Sequence, residues 1–196
     1  MNARAVALGL RAQKGGALVV AATAEHVVLS TSFATAVEGD ALAREPYRLA
    51  FDMARGPDGR ASDEARAAVA EGRRRQDAAA AAGLQRVVAR IEAEGYRPDV
   101  AALLVNRAGW ITDLLDYSLG WADHVPVAEG LAVREALRFA VARAGLTLVE
   151  LDEKSLLETL ASDARLPAQA AHAGKPWRKE QKLACLAAWT ALAGRG

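Results

Sequence analysis

Seven charged or amide side chains stand where predicted strands end or predicted helices begin. They are Arg11, Asn106, Arg107, Glu129, Arg134, Glu180 and Lys182. Arginine and lysine donate hydrogen bonds to phosphate and carboxylate groups, and the two glutamates accept hydrogen bonds from a ligand. If one edge of a sheet gathers them, the pattern predicts a site for a polar, anionic ligand such as a phosphate or a nucleotide. The alternative is a set of buried ion pairs without a ligand.

Glu129 and Glu180 are also the candidate catalytic acids, because carboxylates can transfer protons and coordinate metal ions. Glu129 and Arg134 are five residues apart, so the four-residue spacing of a simple helix ion pair does not explain them. The chain has no nucleophile-elbow motif, phosphate-binding loop or dinucleotide fingerprint. Its chemistry, if there is any, must therefore come from side chains that are distant in sequence.

Two smaller groups of residues have weaker functional interpretations. Three acids and one histidine have the ligand types of a divalent metal site, although acids on a helix are more typical of a solvated surface. They are Asp113, Asp116, Asp123 and His124. Three aromatic residues near Arg107 are typical of core or interface anchors, and if exposed together they could stack on single-stranded bases. They are Trp110, Tyr117 and Trp121.

The elements that would position these side chains follow from the apolar pattern. Apolar runs at 5–10, 17–23 and 26–33, with short turns between them, predict an antiparallel meander. Further apolar runs at 100–105 and 146–151 predict a buried strand and a last strand. Helices are predicted over 47–53, 62–94, 110–121, 129–144, 153–160 and 177–192.

This element order resembles the ribonuclease-H-like fold. The segments 6–10 and 15–20 resemble the opening hairpin of bacterial Holliday-junction resolvases, and 177–189 is similar to their closing helix. The chain more closely resembles a bacterial family of uncharacterised proteins. The matching residues are Gly9-Leu10-Arg11, Pro46-Tyr47, Ala128-Glu129-Gly130 with Arg134, and Pro176-Trp177 with Gln181-Lys182. The resemblance implies an α/β fold in one domain over 1–196, with a mixed five-stranded sheet in the order 3-2-1-4-5, flanking helices and a long helical insertion at about 55–95.

Nucleases of that superfamily hold two metal ions with acids on the first strand, at the end of the fourth strand and on the last helix. The corresponding positions here are Arg11, Asn106 beside Arg107, and Glu180 close to Lys182. A cation in place of a carboxylate repels Mg²⁺. The resemblance therefore implies a degenerate metal site and no cofactor, with Mg²⁺ or Mn²⁺ required only if Glu129 and Glu180 act as displaced acids.

Composition restricts the classes of function further. The 196 residues include 25 lysines and arginines against 24 acids, a net charge of +1 that does not favour nucleic acid as the main partner. One cysteine, Cys185, excludes a disulfide framework, and no apolar run is long enough to span a membrane. We expect a cytoplasmic protein that is non-catalytic or binds a ligand. The alternatives are a metal-dependent nuclease acting on structured or single-stranded nucleic acid, and an interaction or scaffold module that forms a homo-oligomer.

Overall fold

The computed structural model describes residues 4–53, 55–56, 58–106 and 110–194. The strands are β1 (Arg4–Gln13), β2 (Gly16–Ala22), β3 (Val27–Ala34), β4 (Tyr96–Val105) and β5 (Thr147–Asp152). The helices are α1 (Ala41–Arg44), α2 (Pro46–Asp52), α3 (Asp63–Ala93), α4 (Leu114–Gly120), α5 (Val125–Arg143), α6 (Glu153–Leu160), α7 (Ala170–Ala173) and α8 (Lys179–Ala193). No helix within these described ranges is long and apolar enough to cross a membrane.

The five strands form one mixed sheet in the order β3-β2-β1-β4-β5, which confirms the predicted order. The first three strands are antiparallel, and β4 and β5 run parallel to β1. Gly15 forms the tight turn between β1 and β2 with a φ of +68°, a conformation that glycine adopts without strain. The carboxyl ends of β1, β4 and β5 consequently meet at one edge of the sheet, where ligands bind in open α/β folds.

Helices cover both faces of the sheet. The core on one face includes Leu8, Leu103 and Leu137, and it packs against α3 and α5. The core on the other face is formed largely by α8 and includes Leu104 and the buried thiol of Cys185, whose pKa burial raises to about 12. The thiol is therefore unreactive near neutral pH.

A close approach between β1 and α8 depends on Gly9. A Cβ atom added to Gly9 would lie 1.7 Å from the carbonyl oxygen of Ala184, so any larger residue there would push the helix away from the sheet. The carboxyl half of β1 lies beyond this contact, and it includes Arg11.

The element boundaries differ from the predicted ones where capping residues or prolines decide them. Helix α4 begins at Leu114 rather than at 110, because the Asp113 carboxylate accepts hydrogen bonds from the backbone N–H groups of Leu115 and Asp116. Helix α5 begins earlier than predicted, at Val125, with Pro126 in its first turn. This extension adds a full turn before Glu129, and that turn forms part of the site described below.

Candidate functional site

Arg11 pairs with Glu153, the first residue of α6. The Nε and Nη2 atoms of Arg11 donate hydrogen bonds of 3.1 and 2.9 Å to the same carboxylate oxygen, and the two side chains are 27% and 21% exposed. Strand register explains the contact, because Arg11 lies beside Leu104 on β4 while Asp152 at the end of β5 pairs with Val105. A half-buried pair with two hydrogen bonds is fixed more firmly than an exposed ion pair.

The residues at this edge do not fit the two-metal centre that the fold family implies. The guanidinium of Arg11 lies where the resemblance implies a metal-binding carboxylate, and a cation repels Mg²⁺. The carboxylate of Glu153 is already bound to that guanidinium. In the part of the chain that the structure describes, no group of three or more acids, histidines or cysteines could hold a metal ion.

Glu129 caps helix α2 from outside the helix. Its Oε1 atom accepts hydrogen bonds of 2.8 and 2.9 Å from the backbone N–H groups of Tyr47 and Arg48. Helix α2 begins with Pro46, which has no N–H group, so these are the first backbone donors that need a partner. The residue before the helix, Glu45, forms no side-chain capping hydrogen bond, and the carboxylate on α5 supplies the missing cap.

Burial dominates the electrostatics of Glu129. It raises the pKa of the carboxyl to about 7, although the hydrogen bonds from Arg48 and Tyr47 act in the opposite direction. The second carboxylate oxygen, Oε2, is buried and accepts no hydrogen bond from any described residue. This carboxyl group therefore exchanges its proton near neutral pH and has one oxygen available for a further partner.

A cavity of about 340 Å³ opens beside Glu129, between the β1–β2 turn, the start of α2 and the first half of α5. We call it the hairpin cavity. Its α5 wall is a single helical face, because the residues recur every three or four positions. They are Val125, Pro126, Glu129, Gly130, Val133 and Arg134.

The opposite wall of the hairpin cavity is mainly basic. Lys14 is paired with Glu45 at 2.8 Å, and Arg48 is paired with Asp52 at 3.2 Å. Arg44 lines the cavity as well and forms no ion pair with any residue the structure describes. The cavity therefore combines apolar walls with an excess of positive charge.

Arg134 lies between the hairpin cavity and a second opening. That opening, of about 410 Å³, lies between α3, α5 and the end of β4, and it contains the exposed Asn106. Burial lowers the pKa of the Arg134 guanidinium, and the nearby carboxylate of Glu153 opposes this effect. The Nε atom of Arg134 is buried and finds no acceptor within the described ranges. Arg134 thus forms no ion pair with a described residue, has a buried Nε atom without an acceptor, and lines both cavities.

The remaining predicted site residues lie elsewhere. Glu180 is in the first turn of α8, on the opposite face of the sheet from α5. Lys182 lines a separate cleft between α6 and α8, with Leu157 and Lys179. Arg107 lies outside the described residues. The structure therefore brings Glu129 together with Arg134, and Arg134 with Asn106, but does not bring Glu180 or Lys182 to the hairpin cavity.

The aromatic residues near α4 are exposed. Trp110 and Trp121 are 71% and 66% exposed, and the Trp110 ring meets Tyr117 edge-on at 5.4 Å. The Tyr117 ring stacks on His124 at 4.0 Å, and a ring nitrogen of that histidine, Nδ1, lies 2.9 Å from the carbonyl oxygen of Tyr117. The Tyr117 ring thus contacts both the Trp110 ring and the His124 ring.

The sequence does not predict a function for two residues of this region. Glu153 is predicted only as the first residue of a helix, and Arg44 has no predicted role. The position of Glu153 in the sequence does indicate the sheet edge. Asp152 and Glu153 directly follow a predicted strand, and the carboxyl ends of parallel strands meet at one edge of a sheet.

The sheet order and the helices on both faces define an α/β protein of the ribonuclease-H-like fold, as the sequence predicts. The chain is similar to a solved structure of Thermus thermophilus RuvC in complex with a Holliday junction substrate, with 10% identity, a TM-score of 0.54, and coverage of 98% of this chain and 96% of that one. It is also similar to a second Thermus thermophilus RuvC structure, with 12% identity, a TM-score of 0.50, and coverage of 97% and 95%. At these identities the likeness shows the fold alone. No family model and no curated protein matches the sequence.

Proposed function

We propose that this chain is a ribonuclease-H-like domain without nuclease activity, which binds a polar, anionic ligand. The observation that supports it is the ion pair between Arg11 and Glu153 at the carboxyl edge of the sheet. A guanidinium at this position opposes divalent metal binding, and it already occupies one oxygen of the carboxylate beside it.

The ligand-binding part of the proposal is supported by Arg134. This side chain is half-buried, has no acceptor for its Nε atom among the described residues and lines two cavities near the sheet edge. A buried guanidinium without a partner is unfavourable, and an anion would remove that cost.

The test of catalysis uses the substrates that the fold likeness suggests. One of the similar structures contains RuvC with a Holliday junction, so four-way junctions, flaps and single strands should each be incubated with the chain at high concentration, with Mg²⁺ and with Mn²⁺. Thermus thermophilus RuvC serves as the positive control. We expect no cleavage by this chain.

Metal-dependent cleavage that disappears in Glu153→Gln would overturn the proposal, because it would show that Glu153 still serves a metal site. Metal-dependent cleavage that persists in Glu153→Gln and in independently purified protein, but is lost in Glu129→Gln or Glu180→Gln, would overturn the proposal as well, because it would show that these residues act as displaced acids.

A further inference from the structure

We infer, resting on the proposed binding function, that the hairpin cavity takes a phosphate monoester whose organic part carries an N–H donor. A purine nucleoside monophosphate has this chemistry. Three features of the cavity indicate it: unpaired guanidinium groups, a carboxylate oxygen without a donor, and a glycine that keeps the volume open.

The anionic end of the ligand would meet Arg44 and Arg134. Both line the cavity, and neither forms an ion pair with a described residue, whereas Lys14 and Arg48 are already paired with carboxylates. The stem of Arg44 lies over the turn, with its Cγ 3.8 Å from a Cβ position built on Gly15. A phosphate monoester carries between one and two negative charges near neutral pH, which matches two unpaired cations.

The donor end of the ligand would meet Glu129. Its Oε1 atom is occupied by two backbone N–H groups, while Oε2 is buried and accepts no hydrogen bond from any described residue, and the Glu129 side chain lines the cavity. Leaving a buried acceptor unsatisfied is costly, so a ligand N–H at this atom would be favourable. Guanine offers N1–H and N2–H donors on one edge. Val125, Pro126 and Val133 also line the cavity and provide apolar walls against which a flat base can pack.

Gly130 is the third feature. It lies inside α5, where glycine is less favourable than alanine by about 1 kcal/mol. A Cβ atom added to Gly130 meets nothing within 4 Å, so the packing of the described chain does not require a glycine there. Its position on the cavity wall means that a longer side chain would occupy the volume of a ligand.

The test measures binding of guanosine monophosphate to the full chain by isothermal titration calorimetry. We expect saturable binding with a Kd below about 1 mM, and binding at least about tenfold weaker for guanosine and for ribose 5-phosphate, because each lacks one end of the ligand. Absence of saturable binding of guanosine monophosphate would overturn the inference.

Two matched variants of α5 locate the binding. Gly130→Leu should weaken binding of guanosine monophosphate at least about tenfold by filling the cavity, while Ala142→Leu, at an exposed position on the same helix, should leave it unchanged. Circular dichroism melting checks that both variants fold. Equal binding by Gly130→Leu and the unsubstituted chain would overturn the inference. Nuclease activity in the cleavage assay would instead overturn the absence of catalysis and leave this result standing.

Discussion

Two carboxylates near the carboxyl edge of the sheet have opposite environments. Glu153 accepts two hydrogen bonds from the guanidinium of Arg11 and is neutralised by it. Glu129 accepts two hydrogen bonds from backbone N–H groups, has no cation paired with it in the described ranges, and has a pKa of about 7 because it is buried.

The two environments have different consequences for ligand binding. At Glu153 a charged partner satisfies the carboxylate from within the chain, which removes the need for a metal or a ligand. At Glu129 no described cation is paired with the carboxyl group, its buried Oε2 atom accepts no hydrogen bond from a described residue, and its side chain lines a cavity. The polar groups that we propose recruit a ligand therefore lie at the hairpin cavity rather than at the Arg11–Glu153 pair.

Reversing the charge of Arg11 should have the largest effect, because Arg11→Asp replaces a half-buried ion pair with two carboxylates. We expect the free energy of unfolding, measured by urea denaturation, to fall by about 2 kcal/mol. Mn²⁺ should recover part of this loss in the variant alone, because two adjacent carboxylates favour a divalent cation.

The matched control is Lys14→Asp, which reverses the exposed ion pair with Glu45 and should cost less than about 1 kcal/mol. If Arg11→Asp and Lys14→Asp lowered the free energy of unfolding equally, the Arg11–Glu153 pair would be an ordinary surface ion pair.

Removing the carboxylate of Glu129 should have the next largest effect. Glu129→Ala leaves the N–H groups of Tyr47 and Arg48 without their acceptor and should lower the free energy of unfolding by about 1 to 2 kcal/mol. Glu129→Gln keeps an oxygen for both bonds and should lose clearly less. If the two variants were equally destabilised near neutral pH, capping of α2 would not be the role of this side chain.

The raised pKa of Glu129 predicts a pH dependence of stability. The folded-state pKa of about 7 lies above the usual value of 4.5, so the favourable contribution is complete below about pH 4.5 and is lost as the pH rises through 7. Relative to Glu129→Gln, the unsubstituted chain should therefore become less stable between pH 5 and pH 8, by on the order of 1 kcal/mol after allowance for solvent screening. Parallel stability curves for the two proteins over this range would contradict the assignment.

Gly130→Ala should change the free energy of unfolding least, and it is the one variant here that we expect to raise it. Alanine in the interior of α5 should stabilise the chain by about 0.5 to 1 kcal/mol, because its Cβ meets nothing within 4 Å. The control is Gly95→Ala, where a Cβ is equally free of contacts but φ is +83°, so the same substitution should destabilise. A loss of stability in Gly130→Ala would mean that the cavity wall tolerates no added atom.

The strands could be predicted because each is a compact apolar run bounded by turn residues, and their order because the element order resembles the ribonuclease-H-like fold. The long helix could be predicted because Ser62 is a favourable N-cap residue, and it accepts a hydrogen bond from the backbone of Ala65. The partner of Arg11 could not be predicted from the sequence, because the register of β5 against β4 determines where Glu153 lies. The role of Glu129 also escaped prediction, because it follows from α5 packing beside α2, a contact between segments about 80 residues apart in sequence.

The proposed function requires that the Arg11–Glu153 ion pair leaves no site for a divalent metal ion at the sheet edge. Titration of the unsubstituted chain with Mn²⁺, followed by the electron paramagnetic resonance signal of the free ion, tests it most directly. We predict no saturable binding at Mn²⁺ concentrations up to about 1 mM. Stoichiometric binding with a Kd below about 100 µM, abolished by Glu153→Gln, would contradict the account.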